Sequence, residues 1–146
     1  MYKIVILIAG LTSLAVTTSA DSIISQGGIS NKTCSVQKIY VTDFGTDPRH
    51  INFRLGLEKW LSKKKFTVAT RSEDADAVLT GAVSTSSGSK YSYLSFKNAE
   101  LKLANGEIVW HGNFDFRTKN AFGWLGRGHI ENGAKRISEN VRAACK

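Results

Sequence analysis

The residue types that could do chemistry are few in this chain, and their spacings are not catalytic ones. Its histidines are His50, His111 and His129, and no two fall four apart on one helix, as a helical zinc site requires. No G-x-S-x-G turn presents a serine nucleophile. Glu73, Asp74 and Asp76 read as a polar turn ahead of a strand. Asp43 and Asp47 flank a glycine-containing turn into a helix, where aspartate caps backbone N–H groups. Cys34 and Cys145 lack the C-x-x-C spacing of a redox pair, and two cysteines alone cannot hold zinc. The expectation is a non-enzymatic protein with no catalytic residues, no cofactor and no metal. One rival is a polyanion-binding protein acting by charge alone, without a defined groove. The rival from another class is a small secreted basic hydrolase of nuclease type, using His111 and Glu100 beside a lysine. Those side chains would line a cleft in the hydrolase reading and stand on an open face in the first.

One stretch is suited to binding. "NAFGWLGRGH", residues 120–129, sets Gly123, Gly126 and Gly128 among Phe122, Trp124 and Leu125, with Arg117, Lys119 and Arg127 close by. Its glycines space as G-x-x-G-x-G and no G-K-S/T closes the loop, which argues against a nucleotide cradle. Aromatic and basic residues together fit docking on a partner or an anionic surface. Phe122, Trp124, Leu125, Arg127, Arg117 and Lys119 are therefore the candidate contact residues. The loop is expected to be a mobile connection from the last strand to the last helix, with Trp124 partly exposed beside Arg127. The competing expectation is a core lid, because three large apolar side chains are costly to leave in water.

The elements that must position these residues follow from the rest of the chain. Residues 1–20 have the grammar of a cleaved secretory signal: Lys3, an apolar run, then small residues with Thr18 and Ala20 before the cut. The run is about 13 residues, short of a bilayer span, so no membrane-spanning segment is expected in the mature protein. No cysteine stands near the cut to take a lipid. The protein is thus expected in a bacterial periplasm or secreted. There Cys34 and Cys145 read as one disulfide that closes the domain. The chain has 20 Lys+Arg against 12 Asp+Glu and a formal net charge of +8. That excess favours an anionic envelope surface, polyanionic glycans or nucleic acid without choosing among them.

Residues 21–35 read as an extended leader and 36–146 as one α+β domain. Residues 36–44 form a buried strand. Asp47 as N-cap and Pro48 as first residue start a helix whose Phe53, Leu57, Trp60 and Leu61 share a face, and Lys63, Lys64 and Lys65 complement its carboxyl end. Residues 66–70 and 75–84 are strands, and 85–90 a polar break. Asn105-Gly106 predicts a two-residue type I′ hairpin. It pairs Leu103 with Ile108, Lys102 with Val109, Leu101 with Trp110 and Glu100 with His111, at a sheet edge with one covered face. Ile130, Ala134, Ile137, Val141 and Ala144 mark an amphipathic closing helix. The sum is a two-layer sandwich, a mixed and mostly antiparallel sheet with two helices on one face.

This order, with Ala75-Asp76 to Gly81 and Leu101 to Trp110 as its two motifs, resembles a bacterial envelope domain. The TolB amino-terminal domain and the penicillin-binding-protein-activator and curli-secretion lipoproteins share that domain, as do small exported proteins with the same order. The resemblance spans roughly 36–144. It implies an exported partner-binding role, for an envelope protein or anionic envelope surface, and carries no catalytic residue across. The chain departs from the lipoproteins in having no lipidated cysteine, and from TolB in having no propeller.

Overall fold

The computed structural model describes residues 26–29, 34–119 and 128–145. Its elements are β1 (Gln26–Ile29), β2 (Lys38–Val41), α1 (Pro48–Lys63), β3 (Thr67–Val68), β4 (Ala77–Ser87), β5 (Tyr91–Leu103), β6 (Ile108–Lys119) and α2 (Gly128–Ala144). A six-stranded sheet runs β1-β6-β5-β4-β2-β3. β2 lies parallel to β3 and β4, and the other pairings are antiparallel. The two helices pack side by side on one face, which makes the two-layer α+β sandwich that the residue patterns predict.

Local chemistry sets the helix limits. Asp47 accepts the Arg49 N–H at 2.8 Å, and Pro48 occupies a first-turn position that needs no donor. At the other end the Phe66 and Lys65 N–H groups return to the Leu61 and Ser62 carbonyls. This is a Schellman closure, with Lys65 at φ 70 in the place glycine usually fills. Ile130, Ala134, Ile137, Val141 and Ala144 are all buried, so the periodicity of the closing helix is its core face.

The hairpin differs from the predicted one. Asn105 has ordinary negative φ and only Gly106 is left-handed, at φ 87. Leu103 and Glu107 close a three-residue loop, with the Leu103 N–H on the Glu107 carbonyl and the Gly106 N–H on the Leu103 carbonyl. This is a type I turn followed by a glycine bulge, not a type I′ turn. The longer loop shifts Lys102 onto Ile108, and an irregularity then restores Leu101↔Trp110 and Glu100↔His111. Val109, expected beside Lys102, is buried instead, while Ile108 is exposed.

Two further features lie outside the sequence expectations. β5 starts at Tyr91 and not near Ala99, and an extra residue at Asn98 breaks its register with both neighbours. Asn98 takes φ 48, and its N–H is held by the Asn113 side chain at 2.8 Å. The stretch expected to be an extended leader also supplies a strand. Gln26–Ile29 lies antiparallel on β6, so the hairpin is not the sheet edge.

Asp76 has a structural task. Its carboxylate accepts the Gln37 and Lys38 N–H groups at 3.0 and 2.8 Å, which ties the start of β2 to the start of β4. Replacing it strands two backbone donors at the end of a parallel pair. Asp76→Ala is expected to lower unfolding free energy by about 1–3 kcal/mol, measured by urea denaturation. A loss within error of zero would mean water replaces the carboxylate freely.

Candidate functional surface

The sheet has two unlike faces. Against the helices lie Leu79, Leu94, Phe96, Leu101, Trp110 and Phe114, all essentially inaccessible. Phe44, Phe53 and Phe96 meet with ring centres 5.3–5.8 Å apart, and Trp110, Phe114 and Phe116 stack along β6. The opposite face is polar. Lys97 and Ser95 hydrogen-bond Asp115 across β5 and β6. The Lys97 hydrogen bond holds the Asp115 carboxyl below its ordinary range, against a smaller opposing effect of burial.

Glu100 and His111 are register partners on this open face. His111 is exposed, and the nearest cation to the Glu100 carboxylate is Lys102 at 3.5 Å. His50 sits elsewhere, its Nδ1 3.1 Å from the Phe44 carbonyl, and His129 lies in the first turn of α2 at 3 % exposure. Among the described residues no cluster of His, Cys, Asp and Glu is placed to hold a metal ion. Cys34 and Cys145 form the expected disulfide, with Cα atoms 4.5 Å apart.

Of the candidate contact residues, Arg117 lies near the end of β6 on the open face, its guanidinium 4.5 Å from the centre of the Tyr91 ring. Lys119 ends β6, with its backbone paired to Tyr91. Phe122, Trp124, Leu125 and Arg127 lie outside the described residues. The structure adds Tyr91 and Tyr93, ring centres 6.3 Å apart, and Tyr93 is 43 % exposed. Their signal was the alternation in "YSYLSF", which puts Ser92, Leu94 and Phe96 inward and both tyrosines outward. β1 covers β6 only from Trp110 to Asn113, so among the described residues the outer edge beyond Asn113 has no strand partner.

Comparison with known proteins now has a geometry to refer to. No family model matches the sequence, and no curated protein matches it. The fold has solved counterparts. PelC from Paraburkholderia phytofirmans, a dodecamer, is 16% identical and superposes with a TM-score of 0.57 over 86% of this chain and 99% of its own. A single-residue variant of that dodecamer gives 0.56, at 16% identity over 84% and 98%. A minor lipoprotein from Acinetobacter baumannii reaches 0.44, at 14% identity over 73% of this chain and 93% of its own. The feature shared with PelC is the fold.

A second polar cluster lies on the helical layer. Trp60, expected on the core face of α1, is half-buried and donates its indole N–H to Glu131 of α2 at 2.8 Å. Lys59 donates to the same carboxylate oxygen at 2.9 Å. That bond from Lys59 holds the Glu131 carboxyl below its ordinary 4.5, against a small desolvation, with Trp60 helping. A lowered carboxyl supplies stability that is complete above the ordinary range and is lost as pH falls through the lowered value. Glu131→Gln is therefore expected to flatten the acid limb of the stability curve below about pH 4.5, with its effect on stability largest near neutral pH and shrinking toward the acid end. Thermal melts between pH 2.5 and 7 check this, and an unchanged acid limb would count against the pairing.

Proposed function

We propose that this protein is an exported, non-enzymatic partner-binding domain of the bacterial envelope, and that a second copy of its own chain is a partner. The observation that carries the reading is the distal end of the β5–β6 ribbon. There Tyr91, Tyr93 and Arg117 stand out of the core beside an edge of β6 that, among the described residues, has no strand partner beyond Asn113. Tyrosine and arginine are the side chains that interfaces concentrate, and an open edge offers backbone hydrogen bonds to a docking strand. The dodecameric state of PelC, which shares this fold, supports choosing a copy of the chain. The motifs shared with the TolB-type envelope domain belong to the same reading. The disulfide fits an oxidising, extracytoplasmic compartment, and no helix among the described residues is long and apolar enough to cross a membrane.

The placement of Glu100 and His111 favours the binding reading over the hydrolase alternative. Glu100 and His111 stand on the open sheet face, and the lysine nearest Glu100 neutralises it instead of lining a cleft with it. A photocrosslinking residue at position 93 of the exported protein is expected to capture one defined product, with at least a fivefold loss in Arg117→Glu. Capture unaffected by Arg117→Glu, or hydrolytic activity lost in His111→Ala, would overturn the proposal.

A further inference from the structure

The outward stripe of α1 changes character along its length. Ile51, Leu55, Lys59 and Lys63 follow one another at four-residue steps, so they line one side of the helix. Ile51 and Leu55 are 45 % and 55 % exposed, unusual for aliphatic side chains on a helix with a well-covered inner face. Toward the carboxyl end the stripe turns cationic. The Lys63 and Lys135 ammonium groups lie 4.2 and 5.5 Å from the centre of the Trp60 ring, one from each helix, with Lys59 at 6.0 Å.

The local charges do not balance. Glu131 is engaged by Lys59 and the indole N–H, and Glu139 by Lys64 at 3.2 Å. Lys63 and Lys135 form no ion pair of their own among the described residues, although both lie against one indole ring and the Lys63 charge also acts on Glu131. Both ammonium groups are on exposed residues and open to anionic groups of a docking surface. A soluble polyanion would use the lysines and gain nothing from Ile51 and Leu55. A bilayer interface uses both, phosphates for the ammonium groups and the acyl boundary for the aliphatic side chains.

We infer that the outward face of the helical layer docks on an anionic phospholipid surface, with Lys63 and Lys135 over Trp60 taking headgroup phosphates and Ile51 and Leu55 entering the interface. This rests on the reading of the protein as exported. It is independent of self-association, which is measured without lipid. The contact would be peripheral and reversible, as a few charges and two small apolar insertions allow.

The test is flotation of the mature protein with vesicles of phosphatidylglycerol and phosphatidylcholine, against phosphatidylcholine alone. Binding is expected to the anionic vesicles only, and to weaken with salt. Lys63→Gln with Lys135→Gln should reduce partitioning by roughly 30-fold, from about 1 kcal/mol per charge near such a surface. Leu55→Asn should reduce it several-fold. Both sites are exposed, and thermal melts of the variants verify that they fold. Soluble polyphosphate at equal phosphate concentration separates the two sources of the anion. It should compete weakly, and its own binding should ignore Leu55→Asn. The inference is overturned by no binding to anionic vesicles, by binding that the lysine pair does not change, by polyphosphate binding as tight as vesicle binding, or by loss in Trp124→Ala alone.

Discussion

Cys34→Ala with Cys145→Ala is expected to cost about 3–5 kcal/mol of unfolding free energy. The bridge joins residues 111 apart in sequence, Cys34 four residues ahead of the start of β2 and Cys145 directly after α2. Opening it releases a loop that is nearly the whole domain, so the unfolded chain gains most of the entropy that a single crosslink can withhold. Both half-cystines are also buried against the core, so their loss leaves the last turn of α2 poorly anchored. In a domain of this size the fall in Tm should exceed about 10 °C. Guanidinium denaturation of the oxidised protein and the double variant measures it. A difference below about 1 kcal/mol would mean that the helix-to-sheet packing alone fixes the two ends.

Gly81→Val is expected to be nearly as damaging, for a reason of volume. A Cβ at Gly81 would lie 2.4 Å from the Phe96 ring and 3.1 Å from the Ala99 backbone. The ring occupies that space because Phe44 and Phe53 confine it from the other side. It cannot retreat without disturbing the central aromatic group, and overpacking of this kind costs about 3 kcal/mol or more. The cause can be isolated by a double-mutant cycle. Phe96→Ala is itself destabilising, but in that background Gly81→Val should cost about 1 kcal/mol or less. Equal costs in both backgrounds would move the cause from the ring to the backbone of β4.

The disulfide, both helices and most of the sheet were legible because each rested on a strong local signal. Asp47-Pro48 marks a helix start, the 130–144 pattern marks a buried helical stripe, and two distant cysteines without a C-x-x-C spacing mark a bridge. What was illegible depended on tertiary competition. Asn105-Gly106 fits two hairpin loops, and burial of Val109 goes with the three-residue one. Trp60 looks like a core residue by periodicity, yet the meeting of α1 with α2 sets its indole N–H on Glu131 and its ring among lysines from both helices. Tyr91 and Tyr93 lay in an alternating stretch where they flank an inward Ser92, so at its start the larger side chains point outward, the reverse of the usual polarity. Gly27 and Gly28 gave β1 no strand propensity, and the strand exists through its pairing with β6.

Mass in solution tests the partner-binding proposal most directly. Light scattering on the mature, oxidised protein across a range of micromolar concentrations, without lipid, should give a defined multiple of the protomer mass. Tyr93→Ala with Arg117→Glu should shift it toward the protomer while the melting temperature stays within a few degrees. A protomer mass at every concentration, or a multimer that this double variant leaves intact, would contradict the assignment of the β5–β6 end as the surface through which the chain meets its own copy.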